Sequence, residues 1–359
     1  MFRIITDAGE FREYVLLRDG QSVLLRMATP ADLPAIRALL SRVSKQSLRM
    51  RFMGTMAQAP PKFVDGLCGE GPRERACLLA VIGEEPDVKV VGFGNYVGLG
   101  VRNTAEVGFL VDDEFQGRGI STLLLERLAG IAAGAGFVAF EADVLFENQP
   151  MISVFRDSGF ECEQVMDGGS YHVQFPVAGA AVVRDRAELR ERIATANSVV
   201  RLLKPRAVAV VGASRDQTSV GSMIFRHILE NKFKGSVYPV NKQATSVHGV
   251  RAYPDVAQLP EPPDLVVVAI PAEGVIQVAE EAVRAGARGL IVVTSGFAEA
   301  GPDGAALQDR LVEVVRSHGA RLVGPNCLGL LNTDPEISLN ASLAPELPPL
   351  GRIGFFSHS

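Results

Sequence analysis

The sequence predicts an α/β protein of two domains, and two observations carry that expectation. The first is a strand that runs through a Gly-rich turn into an apolar helix: Val111-Asp-Asp-Glu-Phe-Gln-Gly-Arg-Gly-Ile-Ser121, followed by Leu123, Leu124 and Leu125. The second is a regular alternation of buried-type strands and helices after Arg206, the pattern of a parallel, doubly wound sheet. A chain of 359 residues has room for two domains and part of a third.

The turn at 116–121 aims several backbone N–H groups and a helix N-terminus at one point, which suits a pyrophosphate. Gly117 and Gly119 are the residues such a turn requires, because a side chain would hold the backbone away from phosphate oxygens or bar a positive φ. A Gly-rich strand-to-helix junction is also often no more than a tight connection. The strand before it, Ala105–Val111, is apolar except for Glu106. That carboxylate is either a solvent-facing strand residue, the usual fate of Glu, or a general base. Downstream, Asn148 suits a helix N-cap, Pro150 its first turn and Gly159 its C-terminal left-handed position.

In the second half, strands are expected at 207–211, 236–240, 265–270, 289–293 and 321–323, with helices at 221–231, near 273–285 and at 304–317. Ligands on such sheets bind at the carboxyl ends of strands. Gly212, Ala213, Ser214, Lys242, Pro271, Ser295, Gly296, Asn326 and Cys327 stand at those ends. Small residues and a hydroxyl at the first turn suit a phosphate, Lys242 adds positive charge, and Asn326 offers an amide. Taken singly, Lys242 reads as a solvated surface lysine and Cys327 as a small buried residue. Gly212 is followed by Ala-Ser and the next glycine is Gly221, so the dinucleotide pattern is absent and NAD is disfavoured.

Composition excludes several classes. The net charge of −5 gives no basic surface for nucleic acid, and no run of ~18 apolar residues indicates a membrane span. Cys68, Cys77, Cys162 and Cys327 form no Cys-x-x-Cys pair, and five scattered histidines offer no metal pair. Acidic groups stand too early for a signal peptide. A cytoplasmic protein is expected, with a helical connector at 178–203.

The motif Gln116-x-x-Gly119-x-small, with the Asn148–Phe160 segment, resembles the GNAT N-acyltransferases, over residues 20–177. The resemblance implies a mixed sheet with helices, acetyl-CoA as cosubstrate, and contacts from Leu110, Val111, Gln116, Gly117, Arg118, Gly119, Ile120, Ser121 and Asn148. It places Glu106 where protein acetyltransferases fused to acyl-CoA synthetase domains carry a catalytic Glu. Such a base is needed because an ammonium with pKa near ~10.4 must lose a proton before it attacks a thioester. Ser47-Leu-Arg-Met-Arg-Phe52 is similar to that subfamily's Ser-x-x-x-Arg-Phe segment. Ser121 departs mildly from the usual Gly or Ala. Phe155 departs more sharply, standing where many members have an acidic Tyr.

The second series of strand ends resembles, in order, the CoA-binding domain of NDP-forming acyl-CoA synthetases and of the succinyl-CoA synthetase α subunit, a Rossmann-like fold, over residues 204–335. Residues 350–359 resemble the start of the next, flavodoxin-like domain of that family, truncated here. The resemblances together imply an acetyl-CoA-dependent acyltransferase that modifies protein lysines, with a second, regulatory CoA site. A small-molecule amine is an open alternative acceptor, and oligomeric state is not indicated. An acyl-CoA ligase with an accessory acyltransferase domain, or an inactive CoA sensor, are the alternatives from other classes.

Overall fold

The computed structural model describes residues 5, 8–9, 11–54, 60–68, 71–83, 88–100, 103–177, 181–351 and 354. These fall into two compact units, Met1–Ala196 and Asn197–Ser359. The segment predicted to open a third domain, 350–359, lies almost wholly outside the described residues.

The first unit contains β1 (Arg12–Leu16), β2 (Ser22–Met27), α1 (Leu33–Arg42), α2 (Lys45–Phe52), α3 (Pro61–Asp65), β3 (Arg75–Ile82), β4 (Lys89–Gly98), β5 (Thr104–Val111), α4 (Ile120–Ala135), β6 (Ala139–Leu145), α5 (Gln149–Ser158), β7 (Glu163–Asp167) and β8 (Ser170–Pro176). Its eight strands form one sheet in the order β1-β2-β3-β4-β5-β6-β8-β7. Neighbours are antiparallel except β5 and β6, which are parallel. The sheet is the mixed one the resemblance implies, and it begins upstream of residue 20.

Alternation along the strands divides the apolar side chains between two faces. Leu78, Val107, Phe109, Phe140 and Phe175 pack with Leu124, Leu128 and Phe155 of α4 and α5. Leu79, Phe93 and Leu110 face Ile36, Leu39 and Leu48 of α1 and α2. Central strands covered on both faces read as continuous apolar runs, as β3 does. Phe155 is buried, 5.2 Å from the ring of Phe175 and 6.4 Å from that of Phe109. Helix α4 is apolar almost all round, yet buries Glu126 and Arg127. Buried charges persist only when paired; Arg127 Nε donates to Glu13 Oε2 at 3.0 Å, and Glu126 accepts from Arg190.

Arg190 belongs to α6 (Ala181–Leu203), which fills most of the predicted connector; residues 178–180 lie outside the described set. The remaining elements are β9 (Ala207–Val211), α7 (Val220–Glu230), β10 (Ser236–Val240), β11 (Ser246–Val247), β12 (Val250–Arg251), β13 (Leu265–Val268), α8 (Val275–Arg284), β14 (Gly289–Val292), α9 (Pro302–Ser317), β15 (Arg321–Val323), β16 (Gly329–Asn332) and β17 (Leu339–Ser342). Five of these strands form a parallel sheet in the order β10-β9-β13-β14-β15. Helices α8 and α9 cover one face, while α7 and β17 cover the other. The chain steps from β9 to β10 on one side and to β13 on the other, so the switch point where such sheets bind ligands lies at Gly212 and Ala269. No helix among the described residues is long and apolar enough to cross a membrane.

Candidate functional site

In the first unit the turn at 116–121 takes a left-handed backbone at both glycines. Gly117 and Gly119 have φ of 74° and 94°, with Gly119 at the N-cap of α4. A non-glycine residue in this region costs about 1–2 kcal/mol. A carboxylate clamp fixes the turn from below. Asp113 accepts from Ser44 N at 2.6 Å and from Ser47 Oγ at 2.6 Å, and Gln116 Nε2 donates to Ser47 Oγ at 3.0 Å. Burial pushes the Asp113 carboxyl up, but the hydrogen bonds from Ser47 and Ser44 outweigh it and hold the group below its ordinary value.

The turn opens onto a cavity of about 450 Å³ that continues between β5 and β6. These parallel strands pair only at Thr104–Ala139, Ala105–Phe140 and Glu106–Glu141. Beyond that they splay, and Val107–Val111 and Ala142–Val144 line the gap. Asp112 N donates to Val91 O at 3.0 Å, which fixes the alternation along β5. Even-numbered amides, Leu110 included, therefore point into the β4 ladder. The amides of Phe109 and Val111 face the gap, so they, rather than Leu110 N–H, can meet a ligand there. Exposed Glu106 stands where the splay begins and lines the same cavity.

Asn148 also lines the cavity, and its side chain accepts from Met151 N at 3.2 Å as the N-cap of α5. Arg118, expected among the acetyl-CoA contacts, turns its side chain to the protein. Its Nη1 donates to Gln21 Oε1 at 3.1 Å and its Nη2 to Glu114 O at 2.8 Å, with the guanidinium over Phe115. Its side chain shapes the turn and does not line the cavity.

In the second unit, Gly212 has φ 96°, and a Cβ there would lie 2.1 Å from Ala269 O. A Cβ on Gly221 would lie 2.4 Å from Gly212 O. The paired glycines let the start of α7 press against the end of β9. Ala213 is buried and its carbonyl accepts from Asn241 Nδ2 at 2.8 Å. Ser214 Oγ lies 2.9 Å from Ser219 Oγ, the N-cap of α7. Lys242, Pro271, Ser295 and Asn326 are exposed at the neighbouring strand ends. Asn326 N donates to Thr294 O at 2.9 Å, which joins the ends of β14 and β15. Gly296 N–H is taken by Glu299 Oε1 at 2.6 Å. Cys327 Sγ faces Val292 O at 3.4 Å, and burial pushes its pKa up.

Two family descriptions match these two regions. "Acetyltransferase (GNAT) family" matches residues 50–160, and "CoA binding domain" matches residues 206–333. The chain carries a GNAT acetyltransferase domain and a CoA-binding domain. Acetate–CoA ligase (ADP-forming) I of Archaeoglobus fulgidus is 43% identical over 159 residues, which cover 44% of this chain and 23% of that enzyme. An acetyltransferase of Pseudomonas aeruginosa is 26% identical over 121 residues, covering 34% of this chain and 65% of that protein. Among solved structures, the GNAT domain of S. lividans PAT is 30% identical, aligned over 46% of this chain and 96% of that one with a TM-score of 0.43. The chain thus spans less than a quarter of the length of the Archaeoglobus ligase.

The two domains imply binding of acetyl-CoA and CoA, and the residues present fit that ligand. Positive-φ glycines, a helix N-terminus and two strand amides facing a gap are the donors a pyrophosphate and an amide-bearing arm require. Sequence reading missed Arg18, which lines the GNAT cavity; its Cγ lies 3.4 Å from where a Gly119 Cβ would be. Nothing in the sequence links a residue after β1 to a turn a hundred positions later. His248, with Nε2 2.9 Å from Ser222 Oγ beside the second turn, was missed for the same reason.

Proposed function

We propose that this chain is an acetyl-CoA-dependent N-acyltransferase acting on protein lysine side chains in the cytoplasm, with CoA at the second domain as a regulatory ligand. The observation that carries the reading is Glu106. It is an exposed carboxylate at the mouth of the β5–β6 splay, in one cavity with the Gly-rich turn.

Acetyl-CoA supplies the thioester. Gly117, Gly119 and the α4 N-terminus would hold its phosphates, and Arg18 adds positive charge on that side. Glu106, directly or through one water, removes the proton from the acceptor ammonium. The Phe109 and Val111 amides stabilise negative charge developing on the carbonyl oxygen. Phe155 has no proton to give, so the departing thiolate takes one from solvent.

The acceptor side supports a cationic substrate. Strand registers set Glu106, Glu141, Gln174 and Glu163 in one row across β5, β6, β8 and β7. Asp143 and His172 form the next row at 2.9 Å, and these outer three strands contain no Lys or Arg. At ~4.8 Å between strands the row spans ~14 Å, longer than a single amine and matched to about four residues of extended peptide.

A second reading, from the ligase relatives, is that the chain belongs to an ADP-forming acyl-CoA ligase with an accessory acyltransferase domain. The 43% identity to the Archaeoglobus enzyme favours it. Incubating the 359-residue protein with acetate, CoA and ATP, and in parallel with labelled acetyl-CoA and protein, compares the two. Nucleotide-dependent formation of acetyl-CoA would promote the ligase, whereas label passing from acetyl-CoA to protein lysines supports our reading.

The proposed second site has its own test. Ser214→Glu puts a carboxylate against the phosphates and should weaken CoA binding at that domain by about tenfold or more, from like-charge repulsion. Calorimetry on the full chain should then show one tight site instead of two. Two unchanged sites would place the second elsewhere.

A further inference from the structure

Gly108 has no side chain, and the guanidinium of Arg51 stands where one would be. A Cβ on Gly108 would lie 2.6 Å from Arg51 Cζ and Nη1 and 2.8 Å from Nη2. Glu106, Gly108 and Leu110 share one face of β5, since side chains alternate along a strand. The guanidinium therefore fills the slot next to Glu106, ~7 Å along the strand.

Arg51 reaches this slot from α2. Its Nη2 donates to Asn95 Oδ1 at 2.8 Å, and the rings of Phe52 and Phe63 lie 5.5 and 5.1 Å from its Cζ. Its Nε is buried with no hydrogen-bond partner among the described residues. Shielding a guanidinium from water is costly unless negative charge lies near it. Burial pulls the Arg51 pKa down, and the charge of Glu106 is the foremost influence opposing that pull.

We propose that Arg51 is a positioning residue for acyl transfer that acts through Glu106: it sets a fixed positive charge beside that carboxylate, and Gly108 is the opening that admits it. The inference rests on Glu106 being the base. Other charged groups act on the same carboxylate. Glu141 of β6 is its neighbour in register, and the Asp143–His172 pair of β6 and β8 lies one row further, with His172 Nε2 3.8 Å from Glu141 Oε2. Arg49 of α2 is already paired with Glu147 at 2.7 Å. The Cys77 thiol of β3 is pushed far up by burial and stays neutral. Arg51 is thus the buried positive charge coupled to Glu106.

The test is the pH dependence of kcat/KM for wild type, Arg51→Met, Arg51→Lys, Gly108→Ala and Glu106→Gln, with acetyl-CoA binding measured alongside. Removing a positive neighbour raises a carboxylate's pKa, so in Arg51→Met the acid limb should move to higher pH by about 0.5–1.5 units. Arg51→Lys should restore much of the wild-type limb. Gly108→Ala, which displaces the guanidinium without deleting it, should move the limb the same way and keeps the test available if Arg51→Met does not fold. Uniform loss at every pH with an unmoved limb, while Glu106→Gln is inactive, overturns the role of Arg51 alone. Full activity in Glu106→Gln overturns the base assignment beneath it.

Discussion

Glu106→Gln lowers acetyl transfer by about 10²–10⁴-fold, the usual range for loss of a general base, and leaves acetyl-CoA affinity within a few-fold of wild type. Gln matches Glu in shape, and Glu106 is exposed on β5, so the fold is kept, while buried Arg51 loses the nearest charge that offsets its burial. The phosphate turn lies beyond the other end of the strand and keeps its donors. The loss therefore falls on the rate at saturating acetyl-CoA, most at neutral pH, where the acceptor amine is protonated. Steady-state kinetics with calorimetry on the same variant separate the two quantities. A variant within a few-fold of wild type in rate would remove Glu106 from the chemistry.

Gly119→Val should raise the acetyl-CoA dissociation constant of the GNAT domain by about tenfold to a hundredfold. At φ 94° any side chain costs about 1–2 kcal/mol, and a β-branched one more. The new methyl groups would also meet Arg18, whose Cγ already lies 3.4 Å from a Cβ at this position. Relief requires the turn to open, which turns amides away from the phosphates, or Arg18 to retreat, which removes a charge. Each route weakens anion binding. Calorimetry of the full chain should show the GNAT site weakened and the other site intact; unchanged affinity at both would mean the phosphates lie elsewhere.

Much of this was legible in the sequence because short-range chemistry wrote it. Gly117 and Gly119 mark a turn with positive φ, Asn148 and Gly159 mark the ends of α5, and the β9-to-β15 alternation marks a parallel sheet. Contacts between distant positions were not legible. The Ser44–Ser47–Asp113 clamp, Arg18 at Gly119 and Arg51 over Gly108 join segments 57 to 101 residues apart, and no local pattern announces them. Direction was hidden too. That Leu110 N–H points into the β4 ladder while Phe109 and Val111 face the splay follows from one register, fixed by the Asp112–Val91 hydrogen bond. Arg118 shows a further limit, since a basic residue in a phosphate motif is spent on Gln21 and the Glu114 carbonyl.

The most direct measurement of the central claim is transfer of isotopically labelled acetyl from acetyl-CoA into a cell lysate by the purified chain, with Glu106→Gln in parallel and acetylated sites located by mass spectrometry. The account predicts label on lysine Nε atoms of proteins, enriched where a second basic residue lies about four positions away, and little with Glu106→Gln. Label confined to small amines, or equal labelling by both enzymes, would contradict it.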